Sequence, residues 1–301
     1  MNSKQVVLIT GGSGMVGKHL TNLLEKDYEV TWLVRKINPA HKIQQYIWDI
    51  NNYTIDHESI LKADYIIHLA GENLASNRWN EKNKLRMLES RTQSSRLLAD
   101  KLKELPHHVK AIACASAIGF YDDKGDVWLE ENSNSTSTDF LADVVRKWEE
   151  ANSHYPVRTV LLRIGIVLDR KEGAFPQLLL PLYTGVAPIF NGGKHFQSWI
   201  HLEDLCSMFR FVIEKETTKG IYNATAPQPV SYLDFMKTLQ QSVGWPTVRM
   251  PIPSFLLKWL LGEKSIIVLK GGRISSKKIQ DAGFQFMYSD LKSAIKNILR
   301  K

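Results

Sequence analysis

Three glycines at positions 11, 14 and 17, separated by Gly12, Ser13, Met15 and Val16, are the residues of this chain most suited to holding a phosphate group. Glycine is needed where backbone must turn tightly, approach a pyrophosphate and let a helix lie against its strand. The amino end of such a helix offers free N–H groups and a positive dipole end. Here the glycines follow the apolar run Val6-Val7-Leu8-Ile9-Thr10 and precede the amphipathic stretch 18–24, so strand, turn and helix stand in the order a dinucleotide site requires.

A second group bears on which dinucleotide. In such a unit the end of the second strand meets the adenine ribose, and an acidic residue there accepts from both ribose hydroxyls of NAD. This chain has Arg35 and Lys36 instead, and an arginine can pair bidentately with a 2′-phosphate, which points to NADP(H); the alternative is a solvated basic turn. Asp49, after a third short strand, suits either the adenine amino group or a surface turn. Leu69, Ala70 and Gly71 follow a fourth strand, the last two having little side chain where a cofactor crosses the sheet edge. Glu72, Asn73, Arg78 and Trp79 come next, suited to lining a substrate pocket or to stapling the following helix.

The elements that must position these groups alternate. Residues 30–34, 45–48, 65–69, 111–114, 157–162 and 220–223 read as strands; 81–104 and 140–151 carry helical spacing. That is α/β architecture: a Rossmann, doubly wound parallel sheet over residues 1–228, with a smaller C-terminal α/β lobe over 229–301 on the substrate side. Residues 173–196, rich in Pro, Gly and apolar side chains, read as a loop covering a pocket, with Gly192 and Gly193 as hinges or a hairpin turn.

Composition narrows the function classes. The 301 residues are 44% hydrophobic and 23% charged, which fits a globular protein rather than a disordered one. The net charge of +8 is scattered, without a basic run or aromatic interleaving, so a nucleic-acid partner is not expected. Cys114 and Cys206 have no metal-ligand spacing, no metal is expected, and neither a signal peptide nor a membrane-length apolar run is read. The expectation is a cytoplasmic monomer or homodimer with a small-molecule substrate and no membrane partner.

At this point the chain resembles the extended and atypical short-chain dehydrogenase/reductases, and within them a subfamily of NAD(P)-dependent epimerase/dehydratase-like proteins that carry a C-terminal domain of unknown function. The resemblance rests on His68 to Asn73 with Arg78-Trp79, Ser116-Ala117-Ile118-Gly119-Phe120-Tyr121, Arg163-Ile164-Gly165-Ile166-Val167-Leu168 and Ser198 to His201. In the C-terminal part it rests on 251–255, 261–263 and 282–286, so it covers essentially the whole chain. It implies cofactor contacts from Arg163 and Gly165 and a catalytic place for Ser116.

The same resemblance implies a Tyr-x-x-x-Lys pair about twenty-four residues after the serine, where the tyrosine is the acid and the lysine lowers its pKa. The chain has Phe140-Leu141-Ala142-Asp143-Val144 there. Tyr288 and Lys292 have the spacing but lie in the last amphipathic segment. Tyr121, at the carboxyl end of the 111–114 strand, is the remaining candidate to hold a substrate oxygen beside Ser116, its alternative being a packed loop tyrosine. His201 reads as a structural residue at a helix start. Two readings follow: an NADP(H)-dependent oxidoreductase or epimerase acting on a small carbonyl or hydroxyl compound, or an NADP(H)-binding sensor or scaffold of weak or no activity.

Overall fold

The computed structural model describes residues 4–74, 78–244 and 246–300. In chain order the elements begin β1 (Val6–Thr10), α1 (Met15–Leu24), β2 (Glu29–Val34), β3 (Gln44–Asp49), β4 (Thr54–Ile55), α2 (His57–Leu61), β5 (Tyr65–His68), α3 (Glu81–Glu104) and β6 (Ala111–Ala117). They continue with β7 (Trp128–Leu129), α4 (Phe140–Asn152), β8 (Arg158–Ile164), β9 (Ile166–Leu168), α5 (Phe175–Tyr183), β10 (Val186–Phe190), β11 (Phe196–Gln197), β12 (Trp199–His201) and α6 (Leu202–Glu214). The remainder is β13 (Gly220–Ala224), β14 (Val230–Ser231), α7 (Tyr232–Val243), β15 (Val248–Ile252), α8 (Ser254–Leu261), α9 (Ile266–Leu269), β16 (Arg273–Ile274), α10 (Lys277–Asp281) and α11 (Leu291–Arg300).

One sheet of eight strands has the order β13-β8-β6-β5-β1-β2-β3-β4, so chain direction across the sheet reverses between β1 and β5. The pairs β5–β6, β1–β5, β1–β2 and β2–β3 are parallel, and β4 adds antiparallel. This is the Rossmann-like α/β fold expected. Its central strands are buried on both faces: Val7, Leu8 and Ile9 have no exposed surface, nor do Ile66, Ile67 and Ile112. That explains why they read as continuous β-branched and leucine runs rather than alternating ones. Helix α3 begins where Asn80 accepts from the Asn83 N–H at 2.9 Å as its N-cap.

The chain forms two compact units that interleave along the sequence. The first comprises Met1–Ser116, Asp143–Leu162 and Cys206–Ile221; the second comprises Ala117–Ala142, Arg163–Leu205 and Tyr222–Lys301. Within the second unit, segments 117–142 and 163–205 pack with residues 222–301.

The second unit corrects one expectation. Residues 173–196, read as a loop, hold α5 and β10. Pro176 stands in the first turn of α5, where the missing N–H is no loss, and Phe175, Leu179, Leu182, Ala187 and Ile189 are buried in one cluster with Tyr232, Phe235 and Leu239. Strand β10 then pairs in parallel with β15. Helix α5 also carries Pro181 in its interior, so proline content alone did not mark a loop here.

Candidate cofactor site and catalytic residues

The glycine turn is built as its spacing requires. Gly14 N–H donates to the Gly11 carbonyl at 3.0 Å, and Gly11 has φ +71°, a conformation that favours glycine. A Cβ on Gly17 would lie 2.5 Å from the Gly11 oxygen and 2.6 Å from Gly12 Cα, so the start of α1 could not approach the turn. A Cβ on Gly12 would strike the Trp32 indole at 2.5 Å. That ring is fixed in turn: its Nε1 donates to Thr21 Oγ1 at 2.8 Å, and Thr21 donates to the Gly17 carbonyl at 2.8 Å. Ser13 and Gly14 are exposed, Met15 and Val16 half-buried.

The amino end of α1 has no side-chain cap and no acidic residue in its first turn. An anion at that end would therefore meet backbone donors without a competing carboxylate, which is the fit expected for a pyrophosphate. Register brings other candidates to the same sheet edge. Thr10 pairs with Leu33 on one side and His68 on the other, and His68 pairs with Cys114. Gly11, Arg35 and Leu69 thus follow three adjacent strands directly, and Ser116 is the penultimate residue of a fourth, all at the carboxyl ends. Arg35 and Lys36 form an exposed bend directly after β2.

Between β1 and β5 lies a buried polar network that sequence reasoning missed. Thr10 Oγ1 accepts from the N–H groups of Leu69 and Ala70, each at 3.1 Å, so its hydrogen goes to His68 Nδ1 at 2.8 Å. The opposite nitrogen, Nε2, then carries the proton and reaches Ser95 Oγ at 3.2 Å, and Ser95 donates to the Arg91 carbonyl. Burial alone pushes His68 down to about 3, so the ring is neutral. One hydroxyl therefore fixes the Leu69-Ala70 backbone. Beyond it, Gly71 lies against Arg91, with a virtual Cβ 3.1 Å from Arg91 Cζ. Arg91 is buried, donates to the carbonyls of Met87 and Glu72, and is brought down to about 10 by desolvation.

The remaining candidates of the first unit divide. The Glu72 N–H donates to Ser90 Oγ, its carboxylate pairs with Arg86 at 3.0 Å, and Asn73 is exposed beside it. Trp79 Nε1 donates to the Leu74 carbonyl at 2.9 Å, and the Arg78 carbonyl accepts from Asn80 N and Asn83 Nδ2, contacts that fit the stapling alternative. Asp49 is occupied by its own turn: it accepts from the Asn51 and Asn52 N–H groups and from Asn52 Nδ2, bonds that hold its carboxyl below the usual range. Ser116 is 2% exposed, and its hydroxyl donates to Glu149 Oε1 at 2.6 Å.

In the second unit Tyr121 is 3% exposed. Its hydroxyl donates to Asn223 Oδ1 at 2.7 Å and accepts from Arg163 Nη1 at 2.9 Å, and burial pushes the phenol up to about 12. These contacts fit the alternative of a packed loop tyrosine. Arg163, expected at the cofactor, is buried with its guanidinium 3.6 Å over the Phe120 ring and bonded to the Glu131 carbonyl. Gly165 permits a close backbone crossing, since a Cβ there would lie 2.5 Å from the Ser198 carbonyl oxygen. Tyr288 stands outside α11, its N–H on Asp204 and its hydroxyl on Glu203, so Tyr288 and Lys292 do not share a helix.

Comparison with known proteins decides the family. The profile of the NAD dependent epimerase/dehydratase family matches residues 7–225, and a domain of unknown function, DUF1731, matches 252–298. The chain belongs to the NAD dependent epimerase/dehydratase family. It is 34% identical to the epimerase family protein YfhF of Bacillus subtilis, with 97% of each chain covered. The crystal structure of human epimerase family protein SDR39U1, isoform 2, with NADPH superposes with a TM-score of 0.89 at 29% identity, covering 99% of this chain and 100% of that one. A nucleoside-diphosphate sugar epimerase of Corynebacterium glutamicum gives 0.79 at 31% identity, covering 99% of this chain and 58% of that one.

Within this chain, the carboxyl edge of the sheet joins an uncapped helix amino end, a basic bend after β2 and a serine on a carboxylate. Among the described residues no group of three or more His, Cys, Asp or Glu could hold a metal ion. Thr10, His68 and Glu149 escaped sequence reading. Glu149 left a trace, because it shares the helical spacing of buried Val145 and Asn152, a carboxylate on an otherwise inward face.

Proposed function

We propose that this protein binds NADP(H) in preference to NAD(H) and transfers hydride between the nicotinamide and a small carbonyl or hydroxyl compound. The observation that carries the cofactor choice is the exposed Arg35-Lys36 bend, which leaves β2 at the same edge as the glycine turn and has no carboxylate at that position. The NADPH of the human relative agrees with it. When bound, the cofactor supplies or accepts the hydride; the chain's residues hold and orient it. Gly11 to Gly17 and α1 receive the pyrophosphate, Arg35 and Lys36 the 2′-phosphate, and Leu69 to Gly71 form the crossing. Glu72 and Asn73 border the substrate, and Ser116 meets its oxygen.

A second reading, an NADP(H)-binding sensor without turnover, is favoured by the missing Tyr-x-x-x-Lys pair and by the internal commitment of Tyr121. Titration with NADPH and NADH, followed by nicotinamide fluorescence and repeated with Arg35→Asp, tests the cofactor site. A preference for NADPH that collapses in the variant is expected. Equal affinity for the two cofactors, or a variant that keeps the preference, would overturn the assignment; a carbonyl screen with NADPH separates the two readings.

A further inference from the structure

We infer that Ser116 and Glu149 form the proton relay of this chain, in the role that a Tyr-x-x-x-Lys pair has in the families it resembles. The inference rests on the hydride-transfer reading above and on one geometric fact. Ser116 Oγ, at the carboxyl end of β6, donates to Glu149 Oε1 of α4 at 2.6 Å, with the serine 2% exposed and the glutamate half-buried. A distance of this size is that of a charge-assisted bond from a hydroxyl to a carboxylate.

A seryl hydroxyl carries one hydrogen and two lone pairs. With the hydrogen given to Glu149, Ser116 offers only lone pairs to any other partner. It therefore receives a hydrogen bond from a substrate hydroxyl and does not polarise a carbonyl in this state. In the oxidative direction, hydride leaves the carbinol carbon for the cofactor and the substrate O–H bond breaks. Its proton passes to Ser116 Oγ while the seryl proton passes to Glu149 Oε1. The alcohol is oxidised to a carbonyl compound, NADP⁺ is reduced to NADPH, and the released proton rests on the Glu149 carboxyl until water takes it. Carbonyl reduction runs the same transfers backwards, with protonated Glu149 as the source. Ser116 is the catalytic residue; Glu149 acts through it as a positioning and proton-holding residue.

The bond is tested first without cofactor or turnover. In labelled wild-type protein the Ser116 hydroxyl proton should appear in NMR spectra as a slowly exchanging, downfield resonance, and it should be absent in Glu149→Ala. Absence in the wild type, or persistence in the variant, overturns the relay. NADPH affinity and thermal stability of Glu149→Ala and Glu149→Gln are measured alongside, so that a folding defect is recognised.

Turnover is then followed as NADPH oxidation with phenanthrenequinone and diacetyl as carbonyl probes. Both variants should lose roughly 10²–10⁴-fold in kcat, with KM and NADPH affinity held. Added formate should restore part of the rate in Glu149→Ala, which leaves room for it, and none in Glu149→Gln, an effect a packing role would not produce. Wild-type rates in the variants, or a loss confined to KM, refute the relay and leave the hydride-transfer reading standing. A wild-type protein that binds NADPH and reduces neither probe refutes that reading, and the relay with it.

Discussion

Acid should destabilise this protein through His68, by an amount the structure sets. The ring has no exposed surface, lies between Thr10 Oγ1 and Ser95 Oγ, and is held as the neutral Nε2–H tautomer by those partners. Burial lowers its pKa from 6.5 to about 3. In the unfolded chain the imidazole takes up a proton as pH falls through its ordinary value, whereas the folded protein refuses it until pH nears the lowered one. The unfolded state therefore binds the extra proton, and stability falls with pH across that window at about 1.4 kcal/mol per unit. Between about pH 7 and pH 5 the loss from this one group is roughly 2 kcal/mol. Urea denaturation at both values, on wild type and on His68→Gln, isolates it as a difference of differences. The variant is less stable near neutrality because Thr10 loses its acceptor, yet its stability declines less on acidification. Parallel decline in the two proteins would refute the buried neutral histidine.

Two substitutions test the remaining geometry. Gly17→Ala places a methyl 2.5 Å from the Gly11 carbonyl oxygen, which the turn relieves only by opening, so NADPH affinity should fall about tenfold or more; unchanged affinity in the same fluorescence titration would show that the turn does not hold the cofactor. Tyr121→Phe leaves Asn223 Oδ1 and Arg163 Nη1 each short of a partner and should cost about 1–3 kcal/mol in denaturation, with NADPH binding and turnover retained. Loss of turnover at unchanged stability would return Tyr121 to the substrate.

What was legible in the sequence is what the backbone does. The glycine turn, the β-branched strands and long helix α3 announce themselves because backbone demands restrict residue type at short range: small residues where chains cross, apolar runs where both sheet faces are covered. What was illegible is contact between side chains distant along the chain. Thr10 and His68 are separated by 58 positions and Ser116 and Glu149 by 33, and no local pattern links either pair. Residues 173–196 misled for a different reason. Pro176 at the start of α5 breaks no hydrogen bond, and Pro181 inside it is carried by the burial of Phe175, Leu179 and Leu182, which local composition does not reveal.

The departure from Tyr-x-x-x-Lys also has a simple geometric form. The resemblance places that pair at 140–144, in the first turns of α4, and the carboxylate that meets Ser116 stands at 149 on the same helix. From 140, where the phenol would stand, to 149 is nine residues, about 13.5 Å or two and a half turns of α-helix. The same strand end and the same helix thus carry the proton chemistry of both arrangements, the acidic group having moved along the helix and changed from a phenol to a carboxyl. A phenol needs a nearby cation to become acidic enough to exchange protons near neutrality, which is the work of the lysine. A carboxylate needs none: it is a proton acceptor already, and a hydroxyl at hydrogen-bond distance connects it to the reacting oxygen. Losing both members of the usual pair is, on this geometry, one change rather than two.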